Sequence, residues 1–223
     1  MIRRSGAAAL MALALAGCGA TLGQTASGSP AMAAYFDCVR QTGLAISAHR
    51  SVSTDDHPEN SIAAIRDTAR AIPGAIVEID VARTRDGELI LMHDDTLQRT
   101  TDGEGRVADL TLSQIRAVRL QTPAGVVTGA QPPTLEEALA AAGQARAIVS
   151  LDLKRSDVVS AEVMMRQVID QVRRARAQNR VILITYSAQD ARLASAMAPE
   201  MMLSAGIDDV GDLTGLNPAQ VLA

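Results

Sequence analysis

The sequence predicts an α/β fold in which the strands of a parallel sheet alternate with helices. Short apolar runs recur along the chain, and amphipathic stretches separate most of them, as in repeated strand-helix units. Parallel strands buried on both faces are almost entirely apolar, yet several of these runs carry polar residues near their carboxyl ends. The 223 residues suit one domain. Aliphatic side chains must fill its core, because hydrophobic residues make up 48% of the chain and aromatic residues only 1%.

The first element along the chain is predicted to be a secretory signal peptide. Arg3 and Arg4 precede an apolar run, which small residues close directly before Cys18. Residues 15–18, LAGC, resemble a bacterial lipobox, which implies cleavage after residue 17 and attachment of lipid to Cys18. An ordinary secretion signal with a chance cysteine is the alternative. We therefore expect a protein of the bacterial cell envelope, anchored by lipid on the periplasmic or outer side of a membrane, or else secreted.

The rest of the chain divides into a tether and one folded domain. Residues 1–17 are the predicted signal peptide, 18–40 the lipidated cysteine with a tether of small polar residues, and 41–223 the (β/α) domain. The chain has 21 Lys and Arg against 25 Asp and Glu, and loss of the two arginines in 1–17 leaves 19 against 25, or about −6. This negative charge and the scarcity of aromatic side chains for base stacking argue against a nucleic-acid partner.

The candidate strands follow the tether, and helical patterns lie between most of them. Apolar residues at helical spacing follow Asn60, which is a predicted helix cap. Thr134 and Glu137 match a capping box at the start of another helix. The six predicted strands are 44–49, 75–81, 89–94, 147–154, 180–187 and 201–207.

Titratable residues lie late in four of these strands. In a barrel or an open α/β sheet, the carboxyl ends of the parallel strands form the rim at which ligands bind. We therefore expect the side chains of four strands to meet at one rim. These residues are His49, Glu78, Asp80, His93, Asp94, Asp152 and Lys154.

The acidic residues of this rim predict a metal site. Glu78 and Asp80 are two positions apart on a strand, so both side chains leave the same face. Two adjacent carboxylates in a partly buried site repel each other unless a cation holds them, and a hard divalent ion, Ca²⁺ or Mg²⁺, suits oxygen ligands. Asp152 would supply a third ligand. The alternative is a structural ion pair with Arg83 or Lys154.

Two of the three histidines end neighbouring predicted strands. A single histidine at a strand end is more often a hydrogen-bonded structural residue. His49 and His93 together offer one base and one acid near neutral pH, which is the combination that acid-base catalysis needs. His57 lies in a polar loop and is not a candidate.

Three stretches of the chain resemble the glycerophosphodiester phosphodiesterase family. They are ISAHRSVSTDDHPENSIAAIRDTAR at 46–70, VEIDVARTRDGELILMHDDTLQRTTDGEGRVADLT at 77–111 and PTLEEAL at 133–139. The elements HR, PEN, E-I-D, R-D-G, HD and RTT-x-G-x-G occur in order, so chance is a poor explanation. The resemblance covers about 44–154 by motif, and a weaker likeness reaches about 207.

The resemblance implies a TIM barrel and the metal-dependent hydrolysis of glycerophosphodiesters to sn-glycerol 3-phosphate and an alcohol. It makes Glu78 and Asp80 metal ligands, and His49 and His93 the acid-base pair. Glu59 matches a position that ligates or organises the metal.

The resemblance also implies how the substrate is held. Arg50 matches a phosphate contact, and Asn60 of PEN matches a position that lines the site. Lys154 would join Arg50 in offsetting the phosphate charge. The expected partners are thus a small phosphodiester substrate and, through Cys18, a membrane; oligomeric state is not predicted.

The sequence departs from the family pattern in three places. Ser51 follows HR where the family usually has glycine, a residue free to adopt conformations closed to others. The fourth strand ends in Asp152-Leu153-Lys154 where E-x-K is usual, and this ending also resembles the related sphingomyelinase D group, which is the alternative substrate class. Only about six strands are counted where a TIM barrel has eight, so we expect the C-terminal part of the barrel to be missing. A non-catalytic surface lipoprotein is the alternative from a different functional class.

Overall fold

The computed structural model describes residues 30–222 except 53, 207, 218 and 219. The predicted signal peptide and Cys18 lie outside the described residues. The helices are α1 (Pro30–Thr42), α2 (Ile62–Ala71), α3 (Leu112–Ile115), α4 (Leu135–Gln144), α5 (Ala161–Arg174) and α6 (Ala188–Met197). The strands are β1 (Ser47–Ala48), β2 (Ile76–Arg83), β3 (Leu89–Leu91), β4 (Ile148–Leu153), β5 (Val181–Thr185), β6 (Met202–Ala205) and β7 (Val221–Leu222). Short 3₁₀ turns occur at His49–Ser51, Val107–Asp109 and Val210–Leu213.

The predicted α/β class is confirmed. Strands β1, β2, β4, β5, β6 and β7 form a parallel sheet in that order. Helices α2, α4, α5 and α6 supply side chains that pack on the outer face of this sheet with Val77, Ile79, Val149 and Leu151. No helix within the described residues has the length and the apolar character needed to cross a membrane.

The prediction that 89–94 is a further parallel strand is wrong. Strand β3 pairs antiparallel with β2, so that Leu91 lies opposite Val81. The connection between the two strands is only residues 84–88, whereas a parallel crossover needs about a dozen residues or more. The hairpin therefore turns back over the end of β2, and the Met92 amide donates a hydrogen bond to the Asp80 carbonyl. Residues after β3 are returned in this way to the carboxyl-terminal rim.

Helix α1 replaces part of the predicted tether. The prediction placed the tether at 18–40, but a helix begins at Pro30 and continues to Thr42. Tyr35 and Phe36 of this helix are buried, with 1% and 9% of their surface exposed, in a cluster with isoleucines of three strands. The length of the helix was underestimated because the small residues before Tyr35 resemble a linker, although Met32 is buried in the same cluster as the two aromatic side chains. Helix α1 therefore begins about ten residues before position 41, the predicted start of the domain.

Candidate active site

Three carboxylates from two adjacent strands meet at the rim of the sheet. Glu78 and Asp80 alternate with apolar residues on β2 and face the same side, and Asp152 on β4 is in register with Asp80. One oxygen from each of the three lies within 4.8 Å of the others. Their exposed fractions are 8%, 1% and 8%. The three acids therefore lie together on one face of the sheet, as the sequence predicted.

Burial and mutual repulsion make this cluster electrostatically costly. Burial raises the pKa of Glu78 to about 7, a hydrogen bond from the Arg50 amide opposes that rise, and the Asp80 and Asp152 charges add to it. The ammonium of Lys154 lies 2.6 Å from a carboxylate oxygen of Asp80 and 2.6 Å from one of Asp152. Burial works to lower the pKa of Lys154, but these two carboxylates outweigh it and raise the pKa above its ordinary value.

The ion-pair alternative holds only in part. Lys154 does pair with two of the acids, whereas Arg83 donates its Nε hydrogen bond to Gln167 instead. The contact between Lys154 and Oδ1 of Asp80 lacks the angles of a hydrogen bond, so this buried oxygen accepts none from the described residues. Lys154 thus pairs with two of the three carboxylates, Arg50 Nε lies 4.0 Å from Asp80, and no side-chain cation among the described residues pairs with Glu78.

The donor set fits a hard divalent cation. Carboxylate oxygens within 4.8 Å of one another can reach one ion at the distances of about 2.1 to 2.6 Å that Mg²⁺ and Ca²⁺ adopt. Oδ1 of Asp80 accepts no hydrogen bond from the described residues, and an ion bound there would replace the Lys154 ammonium, which lies 2.6 Å from this oxygen. Glu78, Asp80 and Asp152 are therefore the residues that could hold a metal in the described chain.

The loop after β1 is folded against this cluster. Arg50 and Ser51 both have left-handed backbone conformations, with φ of 54° and 65°. The Arg50 amide donates to Oε2 of Glu78 at 2.7 Å, which fixes that carboxylate. Ser51 is fully buried, its hydroxyl donates to the Glu78 carbonyl at 3.3 Å, and its own carbonyl accepts from Thr68 at 2.7 Å. These bonds hold a serine in a conformation that is easier for glycine.

Asn60 makes hydrogen bonds with both the side chain and the backbone of Asp80. The Nδ2 group of Asn60 donates to Oδ2 of Asp80 at 2.7 Å, and the Asp80 amide donates to Oδ1 of Asn60 at 3.0 Å. The prediction that Asn60 caps the following helix is wrong: Ser61 is the N-cap of α2 and accepts from the Ala64 amide. Asn60 has a left-handed backbone (φ 55°), which turns its side chain away from the helix and toward β2.

Glu59 lies between two arginines and outside the three-carboxylate cluster. Arg50 Nη1 is 3.2 Å from both of its oxygens, and Arg99 donates to the same oxygens at 2.7 and 2.9 Å. Burial alone would raise the pKa of Glu59, but Arg99 and Arg50 hold it below its ordinary value. This contact places Arg50 over the site, with Nε buried, 4.0 Å from Asp80 and without a hydrogen-bond acceptor among the described residues.

Both predicted catalytic histidines lie at the same rim. His49 follows β1 directly and precedes Arg50, whose amide binds Glu78. His93 follows Met92, whose amide binds the Asp80 carbonyl. The Nδ1 atom of His93 is 2.7 Å from Oδ1 of Asp94. The backbone of both histidines thus lies at the end of the sheet that carries the acids.

Sequence reasoning missed two residues of this site. Arg99 bridges Glu59 and Asp94, and it is the arginine of the RTT motif that supported the resemblance. Tyr186 follows β5; burial first, and then the charge of Asp152, raises the pKa of Tyr186. The same signal that identified the acids, a polar residue at the end of a predicted strand, would have found Tyr186.

Two cavities flank Lys154. The first, of about 430 Å³, opens between the segments that follow β4 and β5 and is lined by Leu153, Met164 and Tyr186 among others. The second, of about 360 Å³, lies toward the β3 hairpin and is lined by Asp94, Arg106 and Arg155 among others. The rim therefore has room for ligand groups on both sides of the lysine.

Comparison with known proteins gives consistent matches. The profile of the Glycerophosphoryl diester phosphodiesterase family matches residues 49–212. A glycerophosphodiester phosphodiesterase of Caldanaerobacter subterraneus subsp. tengcongensis is 32% identical over 157 residues, which are 70% of this chain and 63% of the relative. A glycerophosphoryl diester phosphodiesterase from Parabacteroides distasonis has a solved structure with a TM-score of 0.69 and 30% identity, over 80% of this chain and 61% of that one.

A third match bears on fold alone. A phosphodiesterase of Oleispira antarctica, solved in complex with the product sn-glycerol-3-phosphate, has a TM-score of 0.58 and 24% identity, over 73% of this chain and 65% of that one. These likenesses confirm the predicted barrel-type fold, of which the described residues supply six parallel strands. The chain spans 63% and 61% of the lengths of the first two relatives.

Proposed function

Because this chain belongs to the glycerophosphoryl diester phosphodiesterase family, we propose that it hydrolyses glycerophosphodiesters to sn-glycerol 3-phosphate and an alcohol. One observation carries the proposal. Glu78, Asp80 and Asp152 form a buried acidic cluster at the same rim as His49 and His93. That rim is where enzymes of this architecture bind and convert their substrates.

The acidic cluster would hold one Ca²⁺ or Mg²⁺ ion. When bound, such an ion polarises a phosphoryl oxygen and stabilises the negative charge of the transition state. Asn60 and the Arg50 amide orient two of the ligands through the hydrogen bonds described above. Glu59 would contribute by holding Arg50 in position, and its direct ligation of the metal stays a prediction.

The two histidines would move the protons. One of them takes the proton of the glycerol hydroxyl, whose oxygen attacks the neighbouring phosphorus, and the other protonates the departing alcohol. Water then opens the cyclic phosphate in the reverse sense, with the two roles exchanged. Support for this assignment is that each histidine is adjacent in sequence to a residue whose amide is hydrogen-bonded to a residue of β2, which keeps the backbone of both histidines at the acidic rim.

Arg50 and Lys154 would bind the phosphodiester. The Nε group of Arg50 is buried and has no hydrogen-bond acceptor among the described residues. This N–H group is therefore available to donate a hydrogen bond to a phosphoryl oxygen of the substrate. Lys154 pairs with Asp80 and Asp152 in the structure. Its ammonium could turn from them to the substrate when a divalent ion neutralises those carboxylates.

The decisive experiment is product formation by the purified protein. We expect release of sn-glycerol 3-phosphate from glycerophosphocholine with Ca²⁺ or Mg²⁺ and none after chelation, measured with a glycerol 3-phosphate dehydrogenase assay. If glycerophosphocholine stays intact for hours with either ion, the result would instead support the alternative that the chain is a non-catalytic surface protein.

A sphingomyelinase D-like activity is the alternative substrate class. It is favoured by the ending Asp152-Leu153-Lys154, in which Lys154 lies 2.6 Å from Asp152. Incubation with sphingomyelin and lysophosphatidylcholine separates the two: choline release from these lipids with no product from glycerophosphocholine would favour the alternative.

We also propose that Cys18 carries lipid, which would anchor the protein to an envelope membrane. The support is the LAGC sequence after the apolar run. Mass spectrometry of the mature N-terminus should find a diacylglyceryl group on Cys18. An unmodified cysteine would indicate secretion without an anchor.

A further inference from the structure

His93 has a carboxylate partner in the next residue of the chain. Its Nδ1 atom lies 2.7 Å from Oδ1 of Asp94, and the two side chains are 32% and 26% exposed. Adjacent residues of a regular strand point to opposite faces, so this contact requires that the strand has ended. Strand β3 ends at Leu91, and both residues follow it.

The proton on this hydrogen bond belongs to the histidine. Arg99 donates to Asp94 through Nε at 2.6 Å and through Nη2 at 2.9 Å. These bonds, against a smaller effect of burial, lower the pKa of Asp94 to about 2. An ionised carboxylate can only accept, so Nδ1 of His93 must carry a proton, and Nε2 is the nitrogen left to exchange a proton with a substrate.

The guanidinium of Arg99 also binds a second carboxylate, that of Glu59. Its Nη1 and Nη2 groups donate to Glu59 at 2.9 and 2.7 Å, and Glu59 contacts Arg50. The backbone carbonyl of Arg99 accepts a hydrogen bond from Gln121 at 2.8 Å, which fixes the loop. The planar guanidinium thus joins two carboxylates with paired hydrogen bonds, a geometry that lysine cannot reproduce.

We propose that Asp94 is the positioning residue of His93 and that Arg99 positions Asp94. The inference rests on the proposed function, in which His93 transfers a proton. Asp94 fixes the ring orientation and the tautomer, and it stabilises the imidazolium that forms when Nε2 accepts a proton. Through Glu59, the same guanidinium ties the orientation of His93 to that of Arg50.

A purely structural role is the competing explanation. Arg99 is 46% exposed, and exposed ion pairs contribute about 0 to 1 kcal/mol to stability. A structural pair and a positioning pair differ in what their loss changes. Loss of a structural pair changes the unfolding midpoint, whereas loss of a positioning pair lowers kcat at constant KM.

The kinetic test compares Asp94→Asn with Asp95→Asn. The asparagine at 94 keeps the size of the side chain but offers an N–H group to Nδ1, which favours the wrong tautomer. We expect kcat for glycerophosphocholine to fall roughly 10² to 10⁴-fold with KM nearly constant. Asp95 is the exposed neighbour with the same charge, so its variant should keep wild-type kcat. Arg99→Lys should lower kcat by a smaller factor than Asp94→Asn does.

Two kinetic results would overturn the proposal. One is a kcat for Asp94→Asn within about twofold of the Asp95→Asn value, well short of the expected loss. The other is an increase in KM at unchanged kcat. The unfolding midpoint of each variant shows whether it is folded, and Asp94→Glu, which keeps the charge, should recover part of the lost kcat.

The tautomer can be measured without turnover. The chain has three histidines, so ¹H–¹⁵N multiple-bond spectra of their rings are simple, and His93→Gln identifies the signals of His93. We expect the neutral His93 ring to carry its proton on Nδ1 in the wild type and on Nε2 in Asp94→Asn. A wild-type ring protonated on Nε2 refutes the proposal. If no substrate is hydrolysed, the proposed function fails, and this spectrum still decides the role of Asp94.

Discussion

The two ends of one sheet face contrast sharply in chemistry. On β2, Ile76 at the amino end packs against Tyr35 and Phe36 of α1, whereas Asp80 near the carboxyl end faces the acidic cluster. On β4, Ile148 and Asp152 repeat the same contrast on the same face. A rise of about 3.3 Å per residue separates the apolar end from the charged end by only about 13 Å.

This difference indicates a division of roles within one set of strands. The amino end is closed by a helix and contributes buried apolar surface, which stabilises the fold. The carboxyl end concentrates like charges, which oppose folding in the absence of a cation and serve ligand binding. Substitutions at the two ends should therefore separate stability from activity.

The largest expected effect is at the carboxyl end. His49→Ala and His93→Ala should each lower kcat roughly 10² to 10⁴-fold, because each ring moves a proton in the proposed reaction. Stability should change little, since neither ring is buried. The control is His57→Ala, in which the third histidine is removed from its loop. Near-normal kcat in both test variants would contradict the assignment.

The matching substitution at the amino end is Phe36→Ala. It should lower the free energy of unfolding by about 3 kcal/mol, because a buried phenyl ring is lost from the cluster under the sheet. Denaturant unfolding measures this, and the folded variant should keep wild-type kcat. Leu44→Ala is the control, since Leu44 is 54% exposed. Equal losses in the two variants would show that α1 does not close this end.

The electrostatic cost of the carboxyl end can be measured with Glu78→Gln under chelation. Burial and the neighbouring carboxylates raise the pKa of Glu78 from 4.5 to about 7 in the folded protein. The folded protein therefore binds a proton at Glu78 more tightly than the unfolded chain does. The stabilisation from this proton is complete below pH 4.5 and is lost as pH rises through about 7. Above that pH the variant should be more stable than the wild type by roughly 1 to 3 kcal/mol.

The control for this pH dependence is Glu104→Gln, because Glu104 is exposed and far from the acidic cluster in the chain. Its stability difference from the wild type should be constant between pH 4 and pH 8, whereas that of Glu78→Gln should grow over the same interval. A constant difference for Glu78→Gln would mean that the carboxylate is not under the strain inferred from its burial.

The smallest expected effect concerns Ser51. Ser51→Gly should raise the free energy of unfolding by up to about 1 kcal/mol, because glycine adopts the left-handed conformation without the cost that serine has. Ser51→Ala keeps that cost and loses the hydroxyl contact with the Glu78 carbonyl, so it should be less stable than the wild type. A lower unfolding midpoint for Ser51→Gly than for the wild type would show that the hydroxyl matters more than the backbone.

The sequence predicted the acidic cluster because strand periodicity is local. Glu78 and Asp80 share a face through a spacing of two, and Asp152 is recognised by its place at the end of its own strand. The parallel sheet and the capping box at Thr134 followed from equally local patterns. Such predictions need no knowledge of which strands are neighbours.

Some of the missed features were local and others depend on contacts distant in sequence. An apolar run such as 89–91 reads the same in either strand direction, but the short connection at 84–88 already indicates a hairpin, because a parallel crossover needs about a dozen residues. Arg99 acquires its role from Glu59, 40 positions away, and no local period marks that contact. Helix α1 is defined by the isoleucines that it covers, which lie on three later strands.

The central claim is that a divalent ion binds at Glu78, Asp80 and Asp152, and a calorimetric titration of Ca²⁺ and Mg²⁺ tests it most directly. The wild type should bind one ion per chain, and Asp80→Asn and Asp152→Asn should each weaken binding by at least about 10-fold, while Asp95→Asn binds as the wild type does. Unchanged affinity in both carboxylate variants would contradict the account.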